Sequence, residues 1–374
     1  MSANIKIGND TLQGVNAVEL ENADALGIYV KFTLGVTGGY TVTFVAEGNP
    51  YTIISVTAGS AIEEPIPPEV TGFVTGWSTD EAGANLVSFP YTPTADITLY
   101  AKVFPKKTLE ESTWAEIAQV SANKQWDAMG WKVGDSKTIA LNGTVGTLAL
   151  DNYQCKVYII GFDHNAEKEG QGISFGLLEG VDGKQLCLVD QYYNTGTAEV
   201  MAFSMTATNT NAGGWKAAKM RKAILGSTDV ENGDATPDTI ANPGANTLMA
   251  ALPEDLRAVL KPITKYTDNV GKSSAASAVS PSIDYLPLMA EFEVFGGQAL
   301  ANPNEKTYQA QYEYYKSRNN TIKYKQNDVA SAASWWLRSP YSSNSISFCY
   351  VSTIGAVNNL GAGLSFGVAP AFLV

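Results

Sequence analysis

Short runs of alternating apolar and polar residues fill the first hundred positions, and turn residues close each of them. Ile5 and Ile7, then Gly27-Ile-Tyr-Val-Lys-Phe-Thr33, predict a small β element over residues 1–38, a possible attachment segment ended by Gly38-Gly39. From Tyr40 to Val103 the runs YTVTFVA, YTIISV, GFVTGW and ITLYAKV are rich in β-branched and aromatic residues and are separated by Gly, Pro and Asn. They predict an independent all-β module over residues 39–104, with Pro105-Lys-Lys107 as linker.

The period then changes. Leu109, Trp114, Ile117 and Val120 fall at helical spacing, predicting a helix over 109–121 with Glu110 and Glu111 near the positive end of its dipole. Strands follow at KTIALNG, Lys156–Ile160, GISFGLL and KQLCLV, a helix after Gly213-Gly214-Trp215 ending near Leu225, and another around Pro253–Arg257. Tyr308, Tyr312 and Tyr315, spaced four then three, predict one packed helical face. The last hundred residues read as loops and short strands. The expected fold class is α+β for a domain over residues 108–374, preceded by a small all-β, β-grasp-like module.

Composition narrows the function. The chain has 374 residues, 45% hydrophobic and 17% charged, enough to bury the cores of two or three domains. Its net charge of -12 repels duplex nucleic acid and anionic membrane surfaces. No stretch reaches the roughly 18 consecutive apolar residues of a membrane span, and the N-terminus carries no secretory-signal pattern. Cys155, Cys187 and Cys349 are too far apart for a metal knuckle, and His164 is the only histidine, so histidine-based metal sites and nucleophile–histidine pairs have at most one centre.

The segment Tyr341–Phe366, YSSNSISFCYVSTIGAVNNLGAGLSF, lacks Lys, Glu, Gln, Met and Trp. At the overall frequency of those five types such a gap has a chance probability of roughly one in a hundred and fifty. Every residue in it is reachable from an AAY asparagine codon whose two adenines are randomised. A low-complexity Ser/Gly/Asn loop is the plain alternative.

The flanks bear on that choice. SWWLRSP at 334–340 and GVAPAFL at 367–373, preceded in order by Trp114, Gly213-Gly214-Trp215 with Met220-Arg221, Leu252-Pro253 with Leu256-Arg257, and Glu293-Val294, resemble the variable proteins of diversity-generating retroelements. The resemblance spans about 265 residues. It implies a C-type-lectin-like fold related to the formylglycine-generating enzymes, a ligand-binding activity, and a variable region over 335–374. Carried over by position, Trp335, Trp336, Arg338, Pro340, Gly367, Pro370 and Phe372 are implied as structural frame, with Phe348, Cys349, Val351, Gly355 and Val357 fixed inside the segment. The implied ligand-binding positions are Tyr341, Asn344, Ile346, Ser347, Tyr350, Ser352, Thr353, Ile354, Ala356, Asn358, Asn359, Leu360, Gly361, Gly363, Leu364 and Phe366. Asn358 and Asn359 stand as unmutated template residues. Ala369 departs from the family, where arginine is common before the proline. Upstream, YTVTFVAEG, IPPEV, GFVTGW and ADITLYAKV resemble the internalin-type (Listeria-Bacteroides) surface repeat, which implies a stalk or spacer.

The residues also make physical sense as a paratope. Tyr and Phe supply contact area with few torsions to freeze, while Ser, Asn and Gly adapt their hydrogen bonds. Tyr341, Tyr350, Ile354, Asn358 and Leu364 are expected to be exposed together on one face, and Trp335, Arg338 and Pro370 to be buried. Asp163-His164 as an acid–base pair is weighed against a structural histidine. Asp229, Glu231, Asp234 and Asp238 miss the spacing of a calcium loop. The five tyrosines of Tyr308–Lys325 are read as packing and not as a single-strand nucleic-acid platform.

The expected function is non-enzymatic receptor recognition on a phage tail. A bacterial surface or exported adhesin is the alternative, and an enzyme of the formylglycine-generating type the third reading, lacking the second C-terminal cysteine. A host-cell surface protein or glycan is the expected partner. No cofactor, metal or nucleic acid is expected, nor membrane insertion. The expected location is virion or extracellular surface, as a homo-oligomer, trimeric if on a phage tail.

Overall fold

A computed structural model describes the backbone of residues 3–7, 10–15, 18–23, 27–32, 38–317 and 321–374, and the side chains of 38–316 and 321–374. The side chains of Ile5, Ile7 and the 27–33 run lie outside these, as does Arg318 within the tyrosine-rich stretch. The chain divides into two compact units, residues 1–107 and 108–374.

In the first unit Ala3–Ile7 pairs with Asp10–Val15, and Val18–Ala23 with Gly27–Phe32, both antiparallel. A four-stranded sheet follows in the order Asn49–Thr57, Gly39–Ala46, Ile97–Pro105, Gly72–Ser78, its central pair parallel. Strict alternation along Gly39–Ala46 sends Val42, Phe44 and Ala46 inward. There Phe44 meets Trp77 edge to face at 4.7 Å, over Val56, Ile62 and Leu99.

The second unit opens with the helix Trp114–Ala122. It starts five residues later than the spacing predicts, because Thr113 and Glu116 form a reciprocal capping box there. Glu110 and Glu111 instead accept from the main chain of Thr138 and Thr108. Trp114 packs edge-on against Phe175 and Phe372, anchoring the helix to a four-stranded sheet ordered Ala371–Leu373, Ile173–Glu179, Leu148–Phe162, Ser136–Val145. Three smaller sheets complete the unit. Leu186–Cys187 pairs with Lys323–Lys325, which pairs with Asp328–Ala333; Ile263–Asp268 pairs with Val279–Asp284; Trp335–Pro340, Ser347–Val351 and Val357–Gly361 form the third.

The α+β, C-type-lectin-like expectation is corrected here. Strands hold 36% of residues and helices 15%, in several small sheets, which fits an all-β description better. Predicted helices shrink because tertiary contacts interrupt them. The stretch after Gly213-Gly214-Trp215 is turns plus one five-residue π-helical turn, Met220–Ile224, from which Arg221 reaches Asp284 and the carbonyls of Gly233 and Ile283. The proposed tyrosine face is likewise broken. Tyr312 and Tyr315 are buried, but the helix is only Glu313–Ser317, and Tyr308 stacks on Tyr266 at 4.6 Å.

Candidate functional site

All six residues of the strand Trp335–Pro340 are buried. Arg338 is why a charge can lie there: its guanidinium grips Glu293 with two bonds, 2.5 and 2.7 Å, and also donates to Thr267 Oγ1 and the Leu288 carbonyl. Lys265 spends its three protons on Glu293, Glu169 and Tyr312. The two cations and two carboxylates sum to zero charge. Burial alone pushes the Glu293 carboxyl up, but Arg338 and Lys265 overcome it and hold the group well below the usual range.

Trp335 and Trp336 point to opposite sides of this strand. Trp335 Nε1 donates to Thr321 O, and Trp336 Nε1 to Phe203 O. Gly367 pairs with Trp335 in a parallel bridge, and a Cβ there would sit 2.3 Å from Cys187 Sγ, so only glycine allows the approach. Pro370 is buried and its carbonyl accepts from Leu177 N; Phe372 stacks on Phe175 at 5.2 Å; Pro340 is buried opposite Phe348. Ala369, the departure from the family pattern, is fully buried in the core.

From Tyr341 to Phe366 there is no Asp, Glu, Lys or Arg, and groups outside the segment hold its main chain. Buried Asn211 donates the two protons of Nδ2 to the carbonyls of Asn344 and Ser347, both at 2.8 Å, with Tyr341 O also close at 3.2 Å, and its N–H binds Ser345 O. Asn209 Oδ1 accepts from Gly363 N, and Asp190 accepts from Ser365 Oγ and Phe203 N. At the hairpin tip Thr321 Oγ1 donates to Gly355 O; Gly355 has φ +80, and a Cβ would crowd that hydroxyl at 2.8 Å. Sequence reasoning misses Asn209, Asn211 and Asp190; the uncharged run ATNTNA just before Gly213 is the one signal that marks the two asparagines, and nothing in the sequence marks Asp190.

The positions expected to meet ligand divide into three groups. Ile346, Thr353, Ile354, Ala356, Asn358 and Leu360 are exposed, Ile354 to 80%. Tyr341, Asn344, Ser352, Asn359, Gly361 and Leu364 are half-buried. Ser347, Tyr350, Gly363 and Phe366 are buried; of the five residues expected to be exposed together only Ile354 and Asn358 are, with Tyr341 and Leu364 half-buried and Tyr350 buried, which corrects that expectation. Tyr350 is the partner of Trp336 across the ladder, and Phe366 closes an aromatic trio with centroids 4.8 Å from Tyr350 and 4.9 Å from Trp336. Asn344 is also occupied locally: its Oδ1 accepts from Ile346 N and Ser347 N, and its Nδ2 donates to Ser347 Oγ. Of the fixed set, Phe348, Cys349 and Val351 are fully buried, while Gly355 and Val357 are half-buried. An open groove of about 450 Å³ lies between Gly196–Ala198, Ala207–Asn209, Gly363 and Leu364.

His164 lies flat on Tyr312 at 3.7 Å, and burial, then Lys265, push its pKa down to about 3. It is neutral near pH 7 and packed as a structural residue. Burial pushes the Cys349 thiol up well above its ordinary value, with Glu291 adding to the effect, so it is no ready nucleophile. The Asp229 carboxylate is taken up by Thr236 and Thr239, and among the described residues no three His, Cys, Asp or Glu side chains gather as a metal site.

No curated protein matches the chain. Residues 40–102 match the Listeria-Bacteroides repeat domain, which points to a surface or extracellular protein, and no helix among the described residues is long and apolar enough to cross a membrane. Residues 187–374 match the model described as a domain of unknown function, DUF6273, which spans the frame, the hairpin and the asparagines that hold it. Because that match covers half of the sequence, the chain belongs to the DUF6273 family.

Proposed function

We propose that this protein recognises a receptor through the face built by residues 341–366, and that a diversity-generating retroelement varies the exposed positions of that face. One observation carries the reading: the segment's main chain is held by Asn211, Asn209 and Thr321, while Ile346, Thr353, Ile354, Ala356, Asn358 and Leu360 are exposed. Side chains that hold nothing up are free to change. Ile354, Ile346 and Leu360 leave apolar surface in water, as a ligand surface does. The aromatic trio belongs to the support in this reading, so Tyr350 and Phe366 act by positioning the hairpin.

A phage tail is the setting proposed for this recognition. The Listeria-Bacteroides repeat favours a second reading, an adhesin on a bacterial surface. A template repeat near the gene, matching the codons of 335–374 except at adenines, is expected in either setting; its absence removes the retroelement from the proposal. Replacing Ile346, Ile354, Asn358, Leu360 and Leu364 together with serine is expected to abolish retention on host-surface fractions. Each change should alter stability by no more than about 0.5 kcal/mol. Retention at the original level by a folded quintuple variant would sink the recognition reading.

A further inference from the structure

Asparagine followed by glycine occurs at Asn142-Gly143 and at Asn232-Gly233. The pair is chemically labile, because a glycine amide nitrogen, with no side chain in the way, can attack the carboxamide carbon before it and displace ammonia. Whether this happens in a folded chain depends on what holds the two groups. Asn142 and Asn232 are both exposed, yet the fold treats them differently.

Asn142 is held. Its Oδ1 accepts from Asn152 N at 2.6 Å, and Gly143 sits in the antiparallel ladder opposite Leu150. Closing a ring between them would break that bond and pull a residue out of the sheet. Asn232 has no such restraint. Among the described residues no hydrogen bond ties down its carboxamide, and Gly233 N makes only a long bond of 3.4 Å to Val230 O. The turn also demands this dipeptide. Asn232 has φ +53, a left-handed conformation that glycine and asparagine accept with least strain. At Gly233 any Cβ would overlap Val230 Cγ1, on a β-branched side chain too stiff to step aside. The geometry that closes Val230–Gly233 therefore selects the labile pair and leaves it unguarded.

We infer that Asn232 is a site of spontaneous deamidation. Gly233 N gives its proton to hydroxide and bonds to Asn232 Cγ; the Cγ–Nδ2 bond breaks, and ammonia leaves with a proton from water, closing a five-membered succinimide. Water then opens the ring. Opening at Cγ keeps the original backbone and leaves an aspartate. Opening at the main-chain carbonyl leaves an isoaspartate, whose chain runs through Cβ and Cγ and is longer by one methylene. The net change is amide plus water to acid plus ammonia, with no oxidant and no enzyme.

The longer backbone reaches the core. Gly233 O accepts from Arg221 Nη1 at 2.6 Å, and the same buried guanidinium is tied to Asp284 and to Ile283 O. Just beyond, Asp234 Oδ1 accepts from Ile283 N, and Ala235 N donates to Ile283 O. A methylene inserted before Gly233 shifts all of these against the strand Val279–Asp284. The new carboxylate also joins Glu231 and Asp234, which already occupy Lys222 at 3.5 Å and Lys216 at 3.4 Å. None of this rests on the receptor-recognition reading, since Val230–Ala235 lies outside residues 341–366.

The test is to age the full chain at mildly alkaline pH, folded and in concentrated guanidinium chloride, and then digest it with trypsin. Asn232 falls in the peptide 223–257 and Asn142 in 138–156, so one mass spectrum follows both. In the folded protein the amide-to-acid mass gain should appear at Asn232 at least about tenfold faster than at Asn142, and an isoaspartyl methyltransferase should label the 223–257 peptide. In denaturant the two rates should converge, because the dipeptide is the same and only the fold separates them. Aged protein should melt below fresh protein, whereas Asn232→Gly, which suits the left-handed turn and has no amide to lose, should age without that fall. No mass gain at Asn232, equal gains at both sites in the folded chain, or a ratio that persists in denaturant overturns the inference. An equal fall in melting for aged Asn232→Gly protein overturns the link from Gly233 to the core.

Discussion

Trp335–Pro340 and Val357–Gly361 are the first and last strands of one three-stranded sheet, yet they are built by opposite rules. The first is buried along its whole length and carries a guanidinium tied to Glu293; the last alternates between half-buried and exposed and carries no charge. An uncompensated charge is costly without water, so the inner strand must specify each partner, whereas the outer one needs only a backbone that others hold. Rigidity and tolerance are thus placed two strands apart. Ser347–Val351 between them is buried on both faces, and there the simple division of segment from frame fails.

The largest effect that sharpens this contrast is expected at Arg338. Arg338→Met leaves Glu293 with only Lys265 and the Ala290 amide, which should cost about 3–5 kcal/mol in chemical denaturation. Adding Glu293→Leu leaves the Lys265–Glu169 pair in place and should recover part of that loss. A single variant as stable as the parent would break the claim that the inner strand is fixed by this pair.

Next comes Tyr350, which lies inside the variable-looking segment but packs as frame. Tyr350→Ser removes one ring of the trio with Trp336 and Phe366 and should lower stability by about 3 kcal/mol. A change as small as that of an exposed position would return Tyr350 to the ligand face and move the boundary between the two regimes inward.

Glu305 sharpens the comparison by pH. Burial raises its carboxyl to about 7, although Asp268 N, Ser339 Oγ, Gln309 Nε2 and Arg338 favour the charged form. A folded-state pKa above the unfolded one contributes stability below the unfolded value and loses it as pH rises through the folded one. Melting should therefore fall from about pH 4.5 to about 7, by at most ~3 kcal/mol, and Glu305→Gln should flatten that slope. An unchanged slope in the variant would show that the core beside Arg338 does not titrate through Glu305.

The sequence makes some of this legible and hides the rest for physical reasons. Strands such as Gly39–Ala46 are readable because burial alternates with the pleat, and WWLRSP reads as frame because an arginine among tryptophans needs a partner. Helix length is not readable where tertiary bonds set it: Thr113 moves one start, and Arg221 bends the chain after Gly214 into a π turn. Tyr350 is hidden because its burial comes from Trp336 and Phe366, fourteen and sixteen positions away. Asn211 is harder still, since one amide with no local partner binds carbonyls 130 to 136 residues later.

The smallest expected effect on stability falls at the hairpin tip. Ile354 is 80% exposed, while the turn around it is closed by Gly355 N on Ser352 O, Ser352 N on Ala356 O and Thr321 Oγ1 on Gly355 O. None of these bonds involves its side chain, so Ile354→Ser should shift stability by less than about 0.5 kcal/mol. Its apolar surface gains nothing from the fold, and removing it therefore reports on whatever it touches outside. Retention on host-surface fractions should drop while melting stays put. If melting falls instead by an amount like that of Tyr350→Ser, the tip belongs to the frame, and the rule separating the two outer strands of this sheet is wrong at the place where it is most exposed.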